Sequence, residues 1–324
     1  MVKSQIPISK QINDFLDWID IEKGLSSKTQ ENYERFLDRF LFWLKKEDLN
    51  GLLPHQLTPD HVWSYRLFLS RQFTTHKGES LKKTTQNYYL IALRALLRYF
   101  VAKDIISLPP DKITLPKPDK EKSVNFLTPE QISKLFSATD ISNITGLRDR
   151  AILETFFSTG MRISELTSLN KEQIKIKSGM TDIELGIVGK GGRARTVYFS
   201  KTAIDWLGKY LDTRKDDDEK ALFINYSGRK DASRRLTPRA IENAIKKYTI
   251  MAGLPITTTP HVLRHSFATD LLVQGVDLRT VQEFLGHKNI LATQIYTHIT
   301  NKRLRDIHRK FHGEKNDKDA NLKE

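Results

Sequence analysis

The chain has 324 residues, more than one ordinary hydrophobic core organises, so two domains are expected. A hydrophobic content of 39% suits folded domains, while 53 Lys and Arg against 39 Asp and Glu leave a formal charge of +14, the balance of a protein that meets a polyanion. Cysteine is absent, which excludes disulfides, thiolate nucleophiles and cysteine-ligated zinc or iron–sulfur sites.

The opening "MVKSQIPISK" contains no apolar run of signal-peptide length, and no later run is long enough to cross a bilayer. A cytoplasmic protein without a membrane partner is the expectation. In "SKQINDFLDWID", Ile12, Phe15, Leu16 and Ile19 recur at the spacing of one helical face, and Tyr33, Phe36, Leu37, Phe40 and Leu44 do so after "GLSSKT". "LTPDHVWSYRLFLS" opens a third helix with Thr58 as N-cap and Pro59 at the first helical position. A fourth, "TTQNYYLIALRALLRYFVAK", turns Leu90, Leu93, Leu97 and Val101 inward and leaves Arg94 and Arg98 outside. Residues 1–105 therefore read as an all-helical domain.

Residues 106–125 change composition to prolines and lysines, which predicts an extended, basic connector. A second domain, residues 126–312, starts at "LTPEQISKLF", another Thr–Pro–Glu helix start. Inside it "DIELGIVGKGGRARTVYFS" reads as two strands around a Gly-rich turn, and the chain is expected to be helical again to about Phe311. Residues 313–324 are polar and expected to be disordered. The predicted class is mainly α: an all-helical first domain and a mostly helical α/β second domain with a small antiparallel sheet. No internal repeat is present.

Four segments of the second domain carry groups suited to a phosphodiester. In "STGMRISELTSL", Arg162 and Glu165 stand three apart, so one helical turn would put them on one face. A guanidinium binds two phosphate oxygens at once, although a surface ion pair is the alternative. Lys190 sits at the hairpin tip in "VGKGGRAR", which does not match a P-loop. A lysine there is either solvated or able to reach a groove and protonate a leaving alkoxide.

In "TTPHVLRHSFATDLL", His261 falls in the first turn of a helix, with Arg264 and His265 following. The His261/His265 spacing is that of zinc helices, but the intervening glutamate of metalloproteases and a third ligand are missing. No metal is expected; His261 and Arg264 are read as donors and His265 as a packed histidine. Finally "VDLRTVQEFLGHKN" describes a helix stopped by Gly286, with His287 just beyond it, and "NILATQIYTH" places Tyr296 near the end of a short helix. Taken singly, that tyrosine would be an ordinary half-buried packing residue.

Taken in order, "GMRISEL", "HVLRHSFAT", "LGH" and "YTH" resemble the motifs of the tyrosine recombinases, the phage-integrase superfamily, and within it the compact Xer-type recombinases. The resemblance spans roughly residues 8–312 and implies a four-helix core-binding domain ahead of the catalytic domain, the two gripping duplex DNA as a C-shaped clamp. It implies that Arg162 and Arg264 clamp the scissile phosphate, that His261 and His287 add donors, and that Glu165 holds the site together. Lys190 would protonate the departing 5′ oxygen and Tyr296 would be the nucleophile. A phenol titrating near 10 needs such positive surroundings to attack at neutral pH.

The implied reaction cuts and rejoins DNA through a 3′-phosphotyrosine and a Holliday junction, with no cofactor, metal or ATP. The implied partners are a specific duplex site and a homotetramer on two duplexes, with a monomer in solution as the alternative state. Lys82, Lys83, Arg94 and Arg98 are candidate DNA contacts, solvated helix faces being the alternative for each. "NKRLRDIHRKF" offers Leu304, Ile307 and Phe311 for docking on a neighbour or in cis. Chromosome-dimer resolution and mobile-element integration or excision both fit. The rival classes are a type IB topoisomerase, which would relax one duplex by the same chemistry, and a DNA protein that only binds.

Overall fold

The computed structural model describes residues 1–73, 78–115, 125–177, 179–189, 192, 194–215, 217–227 and 233–286. The chain divides into two compact units, Met1–Lys120 and Glu121–Glu324.

The first unit is built from α1 (Ile12–Ile21), α2 (Ser27–Lys46), α3 (Pro59–Leu67) and α4 (Lys83–Ala102). Each helix buries the stripe that its spacing predicts: Ile12, Phe15 and Ile19 from α1, Leu37, Phe40 and Leu44 from α2, Leu90, Leu93 and Leu97 from α4. Thr58 caps α3 as expected, its hydroxyl accepting from the His61 amide at 3.3 Å. Two expectations are corrected. Trp18 is buried where Leu16 is only half-buried, and Val101 is 40% exposed while its neighbour Phe100 is buried in its place. Leu90, Leu93, Leu97 and Phe100 keep the 3.6-residue repeat, which turns Val101 outward, and the amide of Ile105 closes the helix on the Phe100 carbonyl.

The segment beyond α4 is not free backbone as far as Leu115. Leu108 and Ile113 are buried in the helical core, Arg94 pairs with Asp111 at 2.7 Å, and Arg66 donates to the carbonyl of Thr114. Ile105 forms a parallel bridge with Val2, so both ends of the unit are tied together. Prolines allow only a single 3-10 turn here, Pro110–Lys112, but they do not forbid packing, and two apolar residues of the segment find the core.

In the second unit α5 (Pro129–Ser137) is capped by Thr128, and α6 (Ile144–Thr159) runs through the core. Helix α6 is buried on nearly every side, so its polar residues need partners. Arg148 pairs with Asp149 at 2.6 Å, and Asp149 also accepts from the Tyr248 hydroxyl at 2.9 Å. After α7 (Ile163–Ser168) come β1 (Ile183–Val188) and β2 (Ala194–Phe199), an antiparallel hairpin pairing Ile183 with Phe199 and Ile187 with Arg195. Helices α8 (Lys201–Asp212), α9 (Pro238–Met251), α10 (Pro260–Gln274) and α11 (Leu278–Leu285) complete the described unit.

The expectation of continuous helix after the hairpin fails between α8 and α9. That stretch is irregular, with short bridges pairing Asn170 with Ala221 and Ile224 with Arg235. Buried Arg214 replaces a helical ladder: its guanidinium donates to the carbonyls of Ala221 at 2.7 Å, Leu222 at 2.6 Å and Glu219 at 3.0 Å. A loop can be buried only when its carbonyls are satisfied in this way.

Candidate active site

The local fold around Arg162 begins at the end of α6. Gly160 terminates that helix in the left-handed region at φ +56°, where an added Cβ would lie 2.3 Å from Phe267 of α10. The chain reverses through buried Met161 and enters α7 at Arg162. Arg162 is therefore the N-cap of α7, in extended conformation, and not a residue of its first turn. The pair with Glu165 survives in another form. Glu165 reaches back to accept from the Arg162 amide at 2.7 Å and from its guanidinium at 3.0 Å, a capping arrangement that satisfies an orphan helix donor.

A residue that sequence reasoning passed over completes this carboxylate. Arg195 of β2 forms a two-pronged pair with Glu165, Nη1 to Oε1 at 2.9 Å and Nη2 to Oε2 at 2.7 Å. The signal was in the strand alternation: Arg195, Val197 and Phe199 share the inward face, and a charge at an inward position requires a buried partner. Glu165 has a side chain only 5% exposed. Burial pushes its carboxyl up, but Arg195 and Arg162 outweigh that and hold it down at about 2. It is an anion at any physiological pH, and deleting one partner of such a buried pair costs about 3–5 kcal/mol.

Arg264 comes from α10, whose start is as predicted: Thr259 caps it and Pro260 is its first residue. Its buried guanidinium donates to the Gly160 carbonyl at 2.6 Å and to the Leu285 carbonyl. Three arginines thus converge on the last turn of α11. Arg195 Nε donates to the Phe284 carbonyl at 3.1 Å, Arg264 to Leu285, and Arg162 Nη2 to Gly286 at 3.3 Å. These are carbonyls that a helix end leaves without intrahelical partners, at the negative pole of the helix. Gly286 stops α11 at φ +61°, as expected.

His261 is exposed and lines a groove of about 330 Å³ together with Ile163, Arg239, Asn243 and Lys246. His265 is half-buried, and burial, with His261 and Arg264 adding to it, lowers its pKa to about 4, so it is neutral. Among the described residues no third acidic or imidazole side chain joins these two histidines as a metal ligand. Arg162, Glu165 and Arg264 are brought together. Lys190, His287 and Tyr296 lie outside the described residues, as do Leu304, Ile307 and Phe311. In the first unit Lys82, Lys83 and Arg98 are exposed, whereas Arg94 is engaged by Asp111.

The arrangement is a cationic cluster with fixed geometry. Of the five N–H donors of Arg162, Glu165 and Gly286 engage two, and its side chain is 27% exposed, so donors remain for an anion. Planar guanidinium groups held by backbone carbonyls suit a phosphate, because no reorganisation is needed when charge develops on its oxygens.

Comparison with known proteins shows the family to which the chain belongs. Residues 125–303 match the phage integrase family, and residues 12–104 match its N-terminal SAM-like domain. The chain is 35% identical over 307 residues to the tyrosine recombinase XerD of Lacticaseibacillus casei, covering 93% of this chain and 98% of that protein. It is 35% identical over 317 residues to XerC of Chlamydia muridarum, covering 92% and 96%. Among solved structures, XerH bound to its palindromic difH substrate superposes with a TM-score of 0.69 at 24% identity, covering 93% of this chain and 84% of that one. A lambda integrase dimer on a core site gives 0.65 at 15% identity, with 90% and 77% covered. Both likenesses are of fold.

Proposed function

The chain belongs to the phage integrase family as a Xer-type tyrosine recombinase, and from that premise we propose the roles of its individual residues in site-specific DNA recombination. Arg162 and Arg264 hold the non-bridging oxygens of the scissile phosphate, with His261 and His287 as further donors. Tyr296 gives up its phenolic proton to solvent and attacks phosphorus through the phenolic oxygen. The bond from phosphorus to the 5′ oxygen breaks, Lys190 gives that oxygen its proton, and a 3′-phosphotyrosyl ester remains. The ester conserves the energy of the broken bond, so a 5′ hydroxyl from the other duplex can displace the tyrosine and rejoin the strand. One round makes a Holliday junction, and a second resolves it.

The observation that carries this assignment is the meeting of Arg162 and Arg264 on consecutive carbonyls, Gly286 and Leu285. The chain leaves that cluster directly into His287, and Tyr296 follows nine residues later. Negative charge gathers on the equatorial oxygens in the transition state, where such donors are most effective. The same chemistry would serve a topoisomerase, but similarity at 35% identity over almost the whole chain is to Xer recombinases. Four protomers acting on two duplexes is the assembly we assign to the reaction.

The test is covalent capture on a nicked duplex carrying the binding site recovered by selection from random-sequence duplexes, run in EDTA. Wild type is expected to become linked to the 3′ side of the break. Tyr296→Phe is expected to bind the duplex normally and to form no adduct; an adduct in that variant would place the nucleophile elsewhere.

A further inference from the structure

Arg195 has no assigned part in the chemistry, yet from β2 it bonds both Glu165 of α7 and the end of α11. We propose that Arg195 is a positioning residue for strand cleavage, pinning Glu165 to the last turn of α11 so that Arg162 and Arg264 converge on one phosphate. This rests on the assignment of Arg162 and Arg264 as the phosphate clamp.

Three observations support it. First, the guanidinium meets both oxygens of Glu165 while its Nε donates to the Phe284 carbonyl, so one rigid plane fixes a carboxylate on α7 and a helix end on α11. A lysine could not do this, because a point charge lacks the fork. Second, Gly286 is shaped around it. A Cβ there would lie 2.8 Å from Arg195 Cδ and 3.1 Å from Nη1, so the glycine answers both the positive φ and the approach of Arg195. Third, Arg195 stands on a paired strand opposite Ile187 and is 10% exposed, which gives the pin a rigid base.

The neighbouring rings brace the same turn. Tyr198 of β2 meets Phe284 edge-on at 5.9 Å, and Phe284 meets Phe267 at 6.4 Å, the ring that lies against Gly160. Without Arg195 the buried carboxylate would have only Arg162 to neutralise it and would draw that guanidinium away from the phosphate. The turn at Phe284 would also lose its donor. Neither effect needs Arg195 to touch DNA.

The experiment measures adduct formation and DNA affinity on the nicked duplex used above, for wild type, Arg162→Lys, Arg195→Gln, Glu165→Gln and the Arg195→Gln/Glu165→Gln double variant. Misplacement by about 1 Å costs on the order of 10²-fold, so Arg195→Gln is expected to slow cleavage by that much. DNA affinity is expected to change by less than about threefold. The double variant is expected to be no slower than its slower parent, because both substitutions release the same pin.

Cleavage by Arg195→Gln within about threefold of wild type would overturn the proposal. So would rate and affinity falling together, or single effects that multiply. Should Arg195→Gln fail to fold, Gly286→Ala displaces the same guanidinium, and a normal cleavage rate in that variant would overturn the proposal equally. Failure of the clamp itself looks different: wild type would form no adduct, or Arg162→Lys would cleave as fast as wild type.

Discussion

Histidine 265 and glutamate 165 show how two titratable groups a few residues from a cationic cluster are pushed in directions that matter at different pH. His265 is held at about 4, below the ordinary histidine value of 6.5. Its folded form binds fewer protons than its unfolded form in that interval, so stability rises with pH there and is lost as pH falls from 6.5 towards 4. Glu165, held at about 2, contributes stability above the ordinary glutamate value of 4.5 that disappears only as pH falls towards 2. The two windows barely overlap. Wild type is therefore expected to lose on the order of 2 kcal/mol between about pH 7 and pH 5 from His265 alone. His265→Asn, followed by urea unfolding at both pH values, is expected to remove most of that difference; an unchanged difference would mean that another group is responsible. The sequence placed His261, Arg264 and His265 correctly on a helix, because Thr259 and Pro260 announce its start. Strand alternation marks Arg195 as inward-facing but does not name Glu165 as its partner, which lies 30 residues away on another element.

Among the elements, the helix ends decide the site. Gly160 and Gly286 each close a helix in the left-handed region and present carbonyls to Arg264 and Arg162. The stop at Gly286 was legible as a glycine after an apolar periodic run, whereas the one at Gly160 was not read from the sequence. The segment after α4 was not read correctly, because proline and lysine content signals an extended chain without saying what that chain lies on. Ile113 is fully buried in the helical unit, which makes residues 106–115 part of its fold. Ile113→Ala is expected to destabilise that unit by about 2–5 kcal/mol, the usual range for emptying a buried aliphatic site. Tryptophan fluorescence would report it, since Trp18, Trp43 and Trp63 lie in the first unit and only Trp206 in the second. A freely extended connector would show no change.

At the scale of the molecule, two units with separate cores carry a net charge of +14, and duplex DNA is the partner that charge suits. Four copies is the assembly proposed above, and the spacing of Leu304, Ile307 and Phe311 makes them candidates for the contact between copies, packing in cis being the alternative. Deleting residues 301–324 from Tyr296→Phe is expected to leave binding to a single site intact and to remove the four-protomer species on two duplexes, as measured by sedimentation velocity. Assembly of the truncated protein as well as the full chain would assign the contact to another surface. By itself the sequence determined the class, several helix starts, the stop at Gly286 and the hairpin, because each depends on local spacing, capping and turn chemistry. Only the tertiary structure decided that Arg162 caps a helix instead of lying on it, that Arg195 shares Glu165, and that three arginines end on carbonyls 284 to 286. The last two relations join residues far apart in the chain, and what enforces all three is the demand that every buried charge and every open helix end find a partner.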